Sequence, residues 1–108
     1  MKKFKSVITG HIDIVVHQKE DEIDGVKHHW NDVLIHGDSE GFRSLAHLLL
    51  KLADLDQATV ADLPMGVREH VHLRPGLELA SSSVETIVGR LDAKGTGAFY
   101  DRYIPKKR

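Results

Sequence analysis

The chain has 108 residues, no cysteine, 41% hydrophobic and 29% charged residues, and a formal net charge of −1. That length and balance fit one soluble globular domain over 1–108 with a single modest core, and exclude a disordered chain. Disulfides and thiolate metal sites are excluded, and no apolar run approaches the ~20 residues of a membrane span.

The charge is unevenly laid out. Residues 18–62 carry ten acidic and four basic groups, whereas residues 1–17 sum to +2 and residues 63–108 to +3. An acidic middle argues against a nucleic-acid partner and suits a basic one, although mixed solvated charge is the commoner meaning of such a block. The basic start, Met1 to Lys5, has no long apolar stretch behind it. No signal peptide is expected, and a cytoplasmic protein is the natural reading.

From the N-terminus, Phe4, Ile8, Ile12, Ile14 and Val16 share even parity and read as one long strand or two meeting at Thr9-Gly10. Asp24-Gly25 is a two-residue turn signal, because Asp and Gly tolerate the positive φ that a tight hairpin needs. Pairing the flanks about it predicts partners whose numbers sum to 49. Ile14 then meets Ile35 and Val16 meets Val33 on one face. On the other, Asp13 meets His36, Val15 meets Leu34 and His17 meets Asp32. A slip of one residue would scramble both faces, which supports the register.

Gly37-Asp38-Ser39 stops the second strand and caps a helix over about 39–55. Phe42, Leu45, Ala46, Leu49, Leu52 and Ala53 form its apolar stripe, widened by Leu48 and Leu55. Leu45, Leu49 and Leu52 are expected to pack on Ile12, Ile14, Val33 and Ile35, so that Leu49→Ala would cost about 2–5 kcal/mol. Leu50 falls on the polar side. After a connection with a helical turn over Thr59–Leu63, strands are predicted at Glu69–Leu73, at Leu77–Leu79 beyond the Pro75-Gly76 turn, at 84–91 and at 98–104. Residues 84–91 also match helical spacing, but Val, Thr and Ile favour the strand. Lys106, Lys107 and Arg108 read as a frayed tail. The sum is an α+β fold, an antiparallel sheet of about five or six strands with one main helix packed on one face.

Four features invite a chemical reading. His70-Val71-His72 puts two imidazoles on one side of a strand, a way to offer two ligands to a transition metal. Without a fixed third ligand, a polar strand surface accounts for it better. The His–Asp alternation of the hairpin is explained by ordinary cross-strand pairing, worth about 0.2–1 kcal/mol per pair. Gly89 to Gly97 lacks the order of a phosphate loop, since Lys94 precedes Gly95, though Arg90 and Lys94 are placed to touch a partner. Ser81-Ser82-Ser83 lacks the glycines of a nucleophile elbow. No catalytic residue, metal or cofactor is assigned.

Trp30, the one tryptophan, falls on the mixed face of the hairpin with Val15, Leu34 and His36. Unless a terminal segment covers them, Val15, Trp30 and Leu34 make an apolar island among His and Asp, the arrangement of a protein-contact hot spot.

Gly37-Asp38-Ser39-Glu40-Gly41-Phe42, then Leu45-Ala46 through Leu52-Ala53, Glu69-His70-Val71-His72-Leu73 and Gly89-Arg90-Leu91-Asp92 follow one another in order. Over residues ~31–100 this pattern resembles the small bacterial immunity proteins of polymorphic toxin systems, immunity protein family 32. The resemblance implies a compact cytosolic protein that binds a cognate toxin and blocks it without catalysis or cofactor, while the acidic middle and the lack of a long apolar run lead us to expect no nucleic-acid or membrane partner. Two alternatives stand beside it. One is a small metal-dependent enzyme using His70, His72 and acids of the hairpin. The other is a module that associates with itself through Leu50 or Trp30.

Overall fold

A computed structural model describes residues 8–107. Strands β1 (Ile12–Ile23) and β2 (Val26–Gly37) form a long antiparallel hairpin, followed by helix α1 (Ser39–Asp54), a 3-10 turn at Gln57–Thr59, and strands β3 (His70–Leu73) and β4 (Thr86–Gly89). The hairpin register is the one read from sequence, from Ile12 opposite Gly37 to Ile23 opposite Val26. At its tip Asp24 and Gly25 both take positive φ, 53° and 79°, the backbone of a tight turn that matches strand twist.

The sheet is not one of five or six strands. Among the described residues there are two separate two-stranded antiparallel sheets, β1–β2 and β3–β4. Segment 77–79 makes only an isolated bridge between Pro75 and Leu79, and 98–104 is not a strand. There Tyr103 N–H reaches the Tyr100 carbonyl, and Phe99 and Tyr103 meet edge to face at 5.4 Å, so the segment turns back on itself. Segment 80–84 lies along the outer edge of β1 but pairs irregularly. Ala80 and Val84 N–H groups donate to the Ile12 and Ile14 carbonyls, and the Ile14 N–H goes to the Ser83 hydroxyl. A side chain thus takes the place of one ladder bond. Of the first predicted strand, Phe4 lies outside the described residues, and Thr9-Gly10 precedes β1.

The helix is capped as the sequence indicates. The Asp38 carboxylate accepts the N–H groups of Gly41 (2.7 Å) and His11 (3.0 Å), fixing helix start and strand start together. A Cβ on Gly41 would collide with the His11 carbonyl, so only glycine lets the two segments cross there. Ser44, buried, accepts from Thr9 N–H and donates to the Gly41 carbonyl.

The helix is turned relative to the expected packing. Its buried line is Gly41, Ser44, Leu48 and Leu52. These meet Ile12, Ile14, Val71, Leu73 and Leu79 in one core. Leu49 is 44% exposed, Phe42 45%, Val33 62% and Ile35 49%. Leu49→Ala therefore does not empty a core site. The reason is geometric. The 12-residue strands run ~40 Å and the 16-residue helix ~24 Å, and the helix lies over the first residues of β1. The rest of the hairpin projects from the body. The radius of gyration is 17.1 Å, against about 13 Å for a compact chain of this length.

Candidate functional site: a projecting hairpin arm

From Val15 to Glu40 no residue is buried. Alternation places two sets of apolar side chains on opposite faces of the arm. One face, continuing from Ile12 and Ile14, shows Val16, Val33 and Ile35 exposed, the last directly opposite the buried Ile14. The exposed flank of α1, Phe42 and Leu49, extends the apolar surface on the body. The other face carries the four residues singled out from sequence. Val15 and Leu34 sit opposite each other and are half-buried, Trp30 sits opposite Lys19 and is 45% exposed, and His36 sits opposite Asp13. The His17–Asp32 pair lies between the Val15–Leu34 pair and Trp30. No described segment covers this face, and a notch of about 270 Å³ opens beside Trp30, lined also by Gln18, Lys19, His29 and Asn31.

The arm is acidic, with six carboxylates against two lysines over Ile12–Gly37. Its ion pairs are loose and solvated. Glu20 stands 3.7 Å from Lys27 and 3.5 Å from His29, all three well exposed, so each contributes little. Val16, Val33 and Ile35 were missed as surface residues because their alternation is that of a core face. Comparing strand length with helix length is the signal that finds Val16 and Val33, but not Ile35, which stands opposite the buried Ile14.

The other candidates lie on the body. His70 and His72 rings meet edge to face at 5.2 Å. His70 Nδ1 lies 3.0 Å from the Arg68 carbonyl, and His72 Nδ1 3.6 Å from the Glu85 carboxylate. Among the described residues no three His, Asp or Glu groups form a metal-holding cluster. The hollow they border is lined by Arg68, Arg90, Tyr100 and Arg102 and by no hairpin acid. Among the described residues the structure does not bring these histidines and the hairpin carboxylates of that alternative into one cluster.

Arg90 and Lys94 are committed inward and are not free for a partner. The Arg90 guanidinium grips Asp92 through two bonds of 2.8 and 2.7 Å and donates to the Leu52 and Leu55 carbonyls at the end of α1. That gives the Leu55 carbonyl its donor and adds a short bond to the Leu52 carbonyl, which also accepts the Leu55 N–H, at a helix end that leaves carbonyls open. The guanidinium also holds the Asp92 carboxyl below the usual carboxylate range. Lys94 Nζ donates to the Val60 and Leu63 carbonyls, 2.7 Å each. Ser82 and Ser83 hydroxyls donate to the Asp13 carboxylate, which docks their segment on β1.

The residues of the sequence pattern thus meet in one body, Gly37 to Gly41 at the helix start, His70 to Leu73 in the core strand, Gly89 to Asp92 at the helix end. The family model of immunity protein 32 matches residues 32–91, more than half of the chain. The chain belongs to the immunity protein 32 family. No curated protein and no solved structure gives a match. The immunity protein 32 match spans the base of β2, α1, β3 and β4, and leaves out β1, the hairpin turn and the outer part of β2 that carries Trp30. Several residues of the matched pattern hold the fold. A Cβ on Gly37 would approach Ile12 Cδ1 to 2.7 Å, and one on Gly89 would approach His70 Cβ to 2.9 Å.

Proposed function

We propose that this chain is an immunity protein that binds a cognate bacterial toxin in the cytoplasm and neutralises it by contact, without catalysis or cofactor, and that the hairpin arm is what the toxin meets. Membership of the immunity protein 32 family supports the role. The observation that supports the arm is its bareness: a two-stranded ribbon with apolar side chains on both faces and no described element over either. Isolated hairpins are marginal in water, and a partner that buries Trp30, Val15, Leu34 and His36 on one side, or Val16, Val33 and Ile35 on the other, relieves that exposure. The acidic surround favours a partner with a basic surface and speeds its approach.

The test is binding to the protein encoded beside this gene, where a large secreted toxin is expected. Trp30→Ala should weaken the complex by about 30-fold, ~2 kcal/mol, because central aromatics dominate such interfaces. Its unfolding midpoint should stay near that of the parent. Added salt should slow association more than it speeds dissociation. Unchanged affinity in Trp30→Ala and in a Val33→Ser, Ile35→Ser pair would move the binding face off the arm. Self-association is the second reading, favoured by the same open surface and by Leu50, which is 59% exposed. A monomeric sedimentation profile at micromolar concentration would end it.

A further inference from the structure

The hollow over β3 and β4 lies outside the arm and encloses about 470 Å³, within the size range of small-molecule sites. Its character is cationic. The guanidinium of Arg68 stacks on the Tyr100 ring at 3.9 Å from its centroid, and that of Arg102 stands 4.6 Å from the same centroid. Two like charges are thereby held against one ring.

Neither is held in an ion pair among the described residues, although Asp92, bonded to Arg90, stands close enough to Arg68 for their charges to interact. Arg68 donates through Nε to the Leu91 carbonyl and through Nη2 to the Ala98 carbonyl, both neutral acceptors. Its third nitrogen has no protein acceptor among the described residues. Arg102 makes no hydrogen bond or ion pair among the described residues and is exposed. Arg90, also in the lining, is different, since Asp92 neutralises it and helix carbonyls occupy its remaining donors. His70 and His72 also line it, with Glu85 3.6 Å from His72, a second carboxylate besides Asp92 at its rim. Ile87 and Leu91 give the hollow an apolar side.

We propose that this hollow is a binding site for a phosphate-bearing small molecule, with Arg68 and Arg102 holding the phosphoryl group. A guanidinium presents a planar fork of N–H donors that matches phosphate oxygens in pairs. Arg68 is already fixed by two carbonyls and a ring, so little side-chain freedom is lost when the anion arrives. The anion also relieves the repulsion between the two guanidiniums. Ile87 and Leu91 offer surface to an organic group carried on the phosphate. The site is independent of the toxin reading.

The experiment is a nuclear magnetic resonance titration of the full chain with inorganic phosphate, with adenosine monophosphate, and with adenosine. Phosphate and the monophosphate should shift the resonances of Arg68, His70, His72, Tyr100 and Arg102, and adenosine should not. Tighter binding of the monophosphate marks a phosphate ester as the ligand, and equal binding marks free phosphate. Arg102→Gln should weaken binding by about tenfold, as loss of one charge-assisted contact does. It removes no structural bond, so the fold should persist. Arg102→Lys should restore part of the affinity. Lys27→Gln, on the arm, should leave it unchanged. The proposal is overturned if adenosine binds as well as its monophosphate. It also fails if neither phosphate compound shifts these residues at millimolar concentration, or if Arg102→Gln binds as the parent does.

Discussion

In the body of the molecule Leu73 and Ile12 are fully enclosed, and long irregular segments are tied down one by one through side chains that reach backbone carbonyls. In the arm, twelve residues pair with twelve in perfect alternation, and beyond Ile14 nothing is buried. Outside α1 and two four-residue strands, the body is irregular and held by tertiary bonding. The arm is the reverse. Backbone groups leaving water need partners wherever they go. The arm supplies its own by cross-strand pairing, so it can extend into solvent. The loops of the body cannot, so Gln57, Arg68, Arg90 and Lys94 supply theirs. Gln57, for example, donates to the Asp92 carbonyl and accepts the Glu69 N–H, joining three loops. No buried side-chain nitrogen or oxygen among the described residues is left without a partner.

The sharpest test of this contrast is a pair of leucine truncations. Leu73→Ala should cost about 2–5 kcal/mol in urea unfolding, because its site is closed on all sides. Leu49→Ala, on the same scale, should cost less than about 1 kcal/mol, since that side chain already meets water. Equal losses would mean that α1 is seated on Leu49 after all.

Next in size is Arg90→Gln. It breaks the double contact to Asp92, leaves the Leu55 carbonyl without its donor and leaves the Leu52 carbonyl with the long Leu55 N–H bond alone. A loss of about 1–3 kcal/mol is expected, with helix content falling from the C-terminal end of α1 first by hydrogen exchange.

Acid should act on the body through three carboxylates. Arg74, hydrogen-bonded to Glu78, holds that carboxyl low, Arg90 does the same to Asp92, and the His11 and Gly41 N–H groups do so to Asp38. A carboxyl whose folded pKa is lowered binds fewer protons folded than unfolded, so stability rises with pH across its titration. The contribution is complete above the ordinary carboxylate range, about pH 4, and is lost as pH falls through and below it. Urea midpoints at descending pH should fall in the parent, and less steeply in an Arg74→Gln, Arg90→Gln variant.

The smallest effect belongs to the arm. Asp32→Asn removes the charge opposite His17 and should change stability by about 1 kcal/mol or less. A larger loss would show that the arm is not merely solvated there.

Much of the arm was legible in the sequence, because its determinants are local. Asp24-Gly25 fixes the turn, and a period of two on each side of it fixes the register without knowledge of anything else. The helix ends were legible for the same reason, since Asp38 caps within its own turn. Arg90, by contrast, read as a residue for a partner because its acceptors lie far away in sequence, at Leu52 and Leu55. The side of α1 that is buried was decided by the crossing at Gly41 and His11, a contact between segments thirty residues apart. A broad apolar stripe is compatible with several rotations, and only tertiary packing chooses one. The same holds for the face of the hairpin. Alternation states which side chains share a face, while packing on the start of β1 decides which of them are core, Ile12 and Ile14, and which remain in water, Val16 and Val33 farther along the ribbon and Ile35 across it from Ile14.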